Sequence, residues 1–186
     1  MKSKRQRKPA RQSRTRSEQR AIRRNFIRKT LSLLLLLLCA VPMLGGSVQP
    51  LWVIPAVMCI AMREDLYFTM GASVLAGFCI DLACGSVLGV NSIFLVCWTT
   101  FVVLLFEQIL RRSFLHYIWL TAAGTFLHAL LRYFLKAVIY QTVGRELLWK
   151  TVLLPSALLT VAAALIVYVL YLPLMRLRPK RARLNG

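Results

Sequence analysis

Three long stretches of this chain contain no Asp, Glu, Lys or Arg: residues 30–62, 113–131 and 151–175. A fourth stretch, between Asp65 and Glu107, contains Asp81 as its only charged residue. Uncharged stretches of about 18 residues or more are typical of membrane-spanning helices. The unbroken leucine run at 33–38 argues against a β-barrel, whose strands alternate apolar and polar residues. The pattern therefore predicts an all-α polytopic membrane protein rather than a soluble domain.

The charges are concentrated in the two tails. The chain carries a net charge of +19 although 58% of its residues are hydrophobic. Thirteen of the 25 Lys and Arg lie in residues 1–29, and five more lie in residues 176–183. We therefore divide the chain into a basic tail (1–29, disordered and then interfacial), a transmembrane domain (30–175) and a second basic tail (176–186).

Six helical spans fit the transmembrane domain: 30–46, 50–62, 66–85, 91–110, 114–140 and 151–175. The second span is short and contains Pro55, so three alternatives stay open for it: little tilt, a thinned bilayer or partial re-entry. Merging the first two spans into a hairpin that does not cross would leave four. Because Lys and Arg favour the cytoplasmic side, both tails are predicted to be cytoplasmic, which requires an even number of spans.

The end of the first tail suits a membrane surface. Arg23, Arg24, Arg28 and Lys29 precede the first span directly, and apolar residues lie among them. Basic residues in this position attract anionic lipid headgroups. Nucleic acid is the alternative ligand for such a tail, but the adjoining span favours lipid.

Asp81 is the polar residue that most needs an explanation. A carboxylate in the middle of a membrane helix costs about 2.5–3.5 kcal/mol on insertion scales, so it normally has a partner. Arg132, with His128 nearby, is the predicted partner, because Arg132 in the fifth span lies within about a turn of the depth of Asp81 in the third. The pair has three possible roles: docking the third helix to the fifth, contacting a ligand or partner protein, or relaying protons.

Glycines recur at four-residue steps around Asp81, at positions 77, 85 and 89. This spacing places residues on one face of a helix. Gly77 is expected to allow close helix packing, as small residues do in membranes. Gly85 and Gly89 are expected to end the third helix and to shape the turn into the fourth.

The sequence contains no recognisable catalytic or metal-binding pattern. It has no H-E-x-x-H, no P-loop and no suitably spaced nucleophile, histidine and acid. Its five cysteines lie in apolar segments and form no C-x-x-C pair. We therefore expect a protein that is not an enzyme and that uses neither a metal nor a cofactor.

The segment 77–89 resembles the signature region of the MreD family, the bacterial rod shape-determining membrane proteins. The resemblance is carried by Gly77, Asp81, Gly85 and the pair Leu88-Gly89. The chain length and a short second span that begins with a proline also support the resemblance. The resemblance extends over roughly residues 30–175, and the long basic tail lies outside it.

This resemblance implies a non-enzymatic scaffold of the cell-elongation machinery in the bacterial cell membrane. Its implied partners are an MreC-like membrane protein, an MreB-type filament and the peptidoglycan synthases. The family is also similar in architecture to the substrate-binding membrane subunits of energy-coupling-factor transporters. That similarity gives an alternative function, a small-molecule-binding subunit whose outward pocket would be lined by Asp81, Arg132 and His128.

Overall fold

The computed structural model describes residues 16–44, 51–85, 87–109, 113–135 and 154–176. All regular structure in these ranges is helical. The helices are α1 (Arg16–Ala40) with a short 3₁₀ helix after it (Val41–Leu44), α2 (Val53–Ala61), α3 (Leu66–Cys84), α4 (Val90–Gln108), α5 (Phe114–Phe134) and α6 (Leu154–Arg176). The predicted all-α class is confirmed.

Five helices in the described part of the chain are long and apolar enough to cross a membrane. Their spans are Ile22–Met43, Leu66–Cys84, Val90–Gln108, Phe114–Phe134 and Pro155–Leu174. They correspond to the first and the third to sixth predicted spans, which makes the chain a multi-pass membrane protein. The first span starts earlier than predicted because α1 begins within the basic segment. The end of the predicted fifth span, including Lys136, lies outside the described residues.

The second predicted span is a nine-residue helix, α2, in which every residue is buried. At 1.5 Å per residue it is about 14 Å long, roughly half of a 30 Å hydrocarbon core. Its sequence, VIPAVMCIA, has no polar face. A helix that is apolar on all sides is buried on all sides. The other helices of the chain, and not lipid, cover α2, since α2 packs against each of the five long helices.

Polar side chains of the neighbouring helices form hydrogen bonds with backbone N–H and carbonyl groups at the start of α2. The Leu51 N–H donates to Thr160 Oγ1 of α6 at 2.9 Å. The hydroxyl of Tyr117, in α5, donates to the carbonyl oxygens of Pro55 at 3.3 Å and Ala164 at 3.1 Å. Because lipid offers no hydrogen bonds to backbone groups, such groups in a membrane bundle need partners of this kind. Tyr117 and Thr160 therefore fix α2 between α5 and α6.

Three contacts show which ends of the helices lie together. Glu64 and Asp65, at the start of α3, form ion pairs with Arg28 and Lys29 of α1. The Tyr171 hydroxyl, near the end of α6, donates to the Ser32 carbonyl at 3.0 Å. The basic end of α1, the start of α3 and the end of α6 therefore share one end of the bundle, here called the tail end. The α3–α4 turn lies at the opposite end, the turn end.

The two ion pairs at the tail end differ in burial, and we expect them to differ in strength. Arg28 Nη2 donates to Glu64 Oε2 at 2.9 Å, and the side chain of Glu64 is 3% exposed. Lys29 Nζ lies 3.0 Å from Asp65 Oδ2, and that carboxylate is 79% exposed. Glu64→Gln should lower the free energy of unfolding by about 2–4 kcal/mol because it removes one charge of a buried ion pair. Asp65→Asn should cost less than about 1 kcal/mol, as exposed pairs do.

Unfolding of the purified protein in detergent, followed by circular dichroism, measures both losses. Equal losses for the two variants would show that burial does not separate the two pairs.

Candidate functional site at the turn end

Two glycines in left-handed conformations make the turn between α3 and α4. Gly85 follows the last residue of α3 with φ of 58°, and its N–H donates to the backbone carbonyl of Asp81. Gly89 precedes α4 with φ of 97°. Residues with a Cβ are disfavoured at such φ values. The predicted end of the third helix and the turn after it are therefore both present, and they reverse the chain close to Asp81.

The Asp81 carboxylate is 1% exposed and is held by the start of α4. Its Oδ2 accepts the Gly89 N–H at 2.7 Å, and its Oδ1 accepts Asn91 Nδ2 at 2.7 Å. The N-terminus of a helix carries free N–H groups and a partial positive charge, which favour an anion. The charge of Asp81 is thus stabilised by the helix that follows it.

Asn91 extends this interaction to α5. Its Oδ1 lies 2.9 Å from Nε2 of His128, which is fully buried. Because the amide nitrogen of Asn91 donates to Asp81, its oxygen is left to accept, and Nε2 of His128 therefore carries the proton. The resulting Asp81–Asn91–His128 network joins α3, α4 and α5 through buried hydrogen bonds. Buried hydrogen bonds of this kind favour one arrangement of a core.

The predicted ion pair between Asp81 and Arg132 is not formed. The ion pairs within the described part of the chain are those of Glu64 and Asp65 at the tail end. The physical reason is the tight turn, which brings the N-terminus of α4 directly against Asp81. Arg132 lies one turn beyond His128 on α5 and lines a small cavity with it.

This cavity lies between α5 and α6, with Leu51 contributing to its wall. Its polar lining comes from His128, Arg132, Thr125 and Ser156. The volume open to the centre of a water molecule is about 10 Å³, which is room for a single water. His128 Nδ1 is buried without a hydrogen bond among the described residues. One water donating to Nδ1 fits this space, and a vitamin-sized molecule does not.

Close packing joins α3 to α4 along their length. A Cβ on Gly77 would overlap the backbone of Ser92. Ser92 Oγ donates to the Val74 carbonyl at 3.2 Å, and Ser73 Oγ and Thr99 Oγ1 share a hydrogen bond of 2.7 Å. Small residues and short hydroxyls of this kind let membrane helices approach closely. The predicted packing role of Gly77 is therefore seen, and α3 and α4 form one hairpin.

The contact between α4 and α5 is made by aromatic rings. The Phe94 ring lies 5.5 Å from the His128 ring, centroid to centroid, beside the network. Further along, the indole of Trp98 lies so close to Gly124 that a Cβ there would overlap it. The hairpin therefore meets α5 through aromatic side chains and through the Asn91–His128 hydrogen bond.

The four basic residues predicted to bind the membrane surface fall into two pairs. Arg23 and Arg24 are exposed on α1 and can reach lipid headgroups. Arg28 and Lys29 instead bind Glu64 and Asp65, and Lys29 Nζ also lies 5.1 Å from the centre of the Phe68 ring. Only the first pair is therefore left for the predicted headgroup contact.

Asn91, the central member of the network, is not among the residues predicted from the sequence. The sequence contains a signal for Asn91, because an amide side chain at the start of an apolar span needs a polar partner inside the bundle. Tyr117 and Thr160, which hold α2, are not among the predicted residues either. Groups of three or more His, Cys, Asp or Glu that could hold a metal ion are absent from the described residues.

Comparison with known proteins does not identify the site. None of the family models, curated proteins or solved structures compared with the chain matches it.

Proposed function

We propose that this protein is a non-enzymatic membrane scaffold of the bacterial cell-elongation machinery, as the MreD-like segment 77–89 implies. The observation that supports the proposal best is the hydrogen bonding of the Asp81 carboxylate. Its two carboxylate oxygens bind groups at the start of α4, at 2.7 Å each. A carboxylate used in this way fixes a helical hairpin instead of facing a substrate, and a fixed hairpin is what a scaffold presents to its partners.

In this proposal the chain makes six passes through the cell membrane. Arg28 and Glu64 are in contact, so the chain between them leaves the tail end and returns to it. The second pass would then include α2, and six passes are what the proposed resemblance to the membrane subunits of energy-coupling-factor transporters implies. Both basic tails leave from the tail end, which the excess of Lys and Arg assigns to the cytoplasm.

The partners follow from the same proposal. An MreC-like membrane protein and the peptidoglycan synthases would contact the helices, and an MreB-type filament would lie at the cytoplasmic tail end. Arg23 and Arg24 are exposed there and would hold the tail against anionic headgroups. The work of the protein would then be to keep these components together.

The alternative, a vitamin-binding transporter subunit, requires a polar pocket of ligand size. Its proposed lining was Asp81, Arg132 and His128. In the structure Asp81 is engaged by α4, and the cavity beside His128 and Arg132 has room for one water. Both observations favour the scaffold.

Depletion of the protein in the bacterium that produces it separates the two functions. The scaffold proposal expects rod-shaped or ovoid cells to become round while vitamin uptake stays normal. Cell shape is measured by microscopy, and uptake is measured with radiolabelled vitamins. An uptake defect in cells of normal shape would refute the scaffold and support the transporter subunit.

Cysteine labelling tests the proposed orientation. Val87, in the α3–α4 turn, and Ile109, at the end of α4, are 57% and 79% exposed and lie at opposite ends of α4. In intact cells an impermeant maleimide should label Val87→Cys and should leave Ile109→Cys unlabelled. The Ile109→Cys protein should react once the cells are permeabilised. The reverse pattern would place the basic tails outside the cell.

A further inference from the structure

Of the five long helices, α1 is the least covered by the rest of the chain. In its most apolar 18-residue window, 22% of the residues are buried, against 33–39% in the other four helices. Its buried side is turned to α2, α3 and α6. A wide apolar face of α1 is therefore left for a molecule outside this chain.

The exposed face of α1 has a regular pattern of large apolar residues. We name the following five residues the α1 seam: Ile27, Leu31, Leu34, Leu38 and Val41, which are 48%, 39%, 60%, 61% and 59% exposed. They follow one another in steps of four, three, four and three, which is the a/d spacing of a coiled coil. An open, apolar depression between side chains of α1 alone extends from Phe26 to Leu34, along the tail-end half of this seam. The spacing fits a second helix packed along α1.

The charges at the tail end of the seam indicate what kind of helix fits. Continued toward the N-terminus, the same spacing reaches Arg24 and then Arg20, and Arg23 and Arg24 are exposed. A second copy of this chain has the same orientation in the membrane. Its arginines would therefore meet these ones at the end of the seam, and like charges in contact are unfavourable. A different protein with acidic residues beside its span would be attracted instead.

We propose that the α1 seam binds a transmembrane helix of another protein, one with a leucine-rich face and acidic residues at its cytoplasmic end. This inference extends the proposed scaffold function by naming the surface through which a membrane partner is held. Packing of leucine side chains supplies the attraction within the lipid, and the arginines, which without this partner would contact anionic headgroups, select the partner.

Energy transfer in lipid vesicles tests the inference. The labelled full chain is placed in phosphatidylcholine vesicles with a labelled synthetic peptide that has leucine at the a and d positions and glutamates at both ends. We expect association, and we expect Leu34→Ala combined with Leu38→Ala to weaken it by about tenfold. The matched control, Leu158→Ala with Leu165→Ala, removes similarly exposed leucines from α6 and should leave association unchanged.

Charge reversal gives a second test that does not alter the packing of α1. Arg23→Glu combined with Arg24→Glu should abolish the preference for the glutamate peptide over a matched peptide with lysines at both ends. Equal association of the seam variant and the wild type would overturn the proposal. Association of two labelled copies of this chain through the seam would also overturn it. So would energy transfer to the peptide no higher than random mixing gives, because lipid would then be the molecule that covers the seam.

Because these measurements use no cells, their failure would leave the cell-shape test of the scaffold untouched. Conversely, normal cell shape after depletion would refute the scaffold and leave the association result standing.

Discussion

Asp81→Leu is expected to lower the free energy of unfolding by about 3 kcal/mol or more. The substitution removes the acceptor for Asn91 Nδ2, which is buried, and for the Gly89 N–H, which is partly buried. Buried donors left without an acceptor cost about 1–3 kcal/mol each. Asp81→Asn should cost less, since an amide keeps one acceptor oxygen, although it loses the attraction of the carboxylate to the N-terminus of α4. Reversible unfolding in mixed detergent micelles measures these losses.

Glu107→Gln is the matched control for Asp81→Asn. Glu107 is an exposed acid at the other end of the hairpin, so its neutralisation should change stability by less than about 0.5 kcal/mol. A double-mutant cycle adds a second check. Asn91→Leu made in the Asp81→Leu background should cost at least about 1 kcal/mol less than Asn91→Leu alone, because its carboxylate partner has already gone. Strict additivity of the two substitutions would show that the network does not act as a unit.

Gly77→Leu is expected to be the most damaging single change in the bundle. Even a Cβ at this position would overlap the backbone of Ser92, which cannot move aside as a flexible side chain could. The helices α3 and α4 would have to separate, breaking the contacts of Ser92 and of the Ser73–Thr99 pair. We expect a loss of about 3–5 kcal/mol, or no folded protein in detergent. Size-exclusion chromatography followed by thermal unfolding shows either outcome.

Gly71→Leu is the control on the same helix. A Cβ at Gly71 meets nothing within 4 Å, and its φ is not in the left-handed region. The substitution should be neutral or slightly stabilising, because glycine is a poor helix former. If Gly71→Leu were as harmful as Gly77→Leu, the damage would come from glycine replacement in general and not from the α3–α4 contact.

The sequence was sufficient to single out Asp81 but not to find its partner. An acid in an apolar span stands out because of its cost, and this reasoning needs no coordinates. The expected partner, Arg132, was chosen by opposite charge and equal depth. The actual partners, Gly89 and Asn91, depend on how tightly the chain turns after α3. That geometry follows from two left-handed glycines whose exact conformations the sequence does not specify.

The number of membrane spans illustrates a second limit of prediction from sequence. Residues 50–62 are as apolar as a membrane span, and hydropathy alone cannot distinguish residues covered by lipid from residues covered by protein. All nine residues of α2 are buried against other helices. The helix α2 alone is shorter than a bilayer is thick, so a pass through this segment needs residues beside α2, and the sequence locates helix ends poorly.

The tail-end ion pairs illustrate a third limit. Asp65 stands at the N-cap position of α3, but its side chain makes no capping hydrogen bond. Glu64 and Asp65 pair with cations 36 residues earlier in the chain. Contacts over such separations depend on how helices are arranged, which composition and periodicity do not determine.

The complete burial of α2 also bears on the order in which the protein is built. Its start is held by Thr160 and by Tyr117, the second of which also binds Ala164. Two of these three residues belong to α6, which is synthesised after α1 to α5. The long helices can enter the membrane one by one, but α2 reaches its final hydrogen bonds only after α6 has been synthesised. A chain truncated before α6 would therefore lack the hydrogen bonds that α6 provides at the start of α2. Its α2 would then be open to the cellular machinery that degrades incompletely folded membrane proteins.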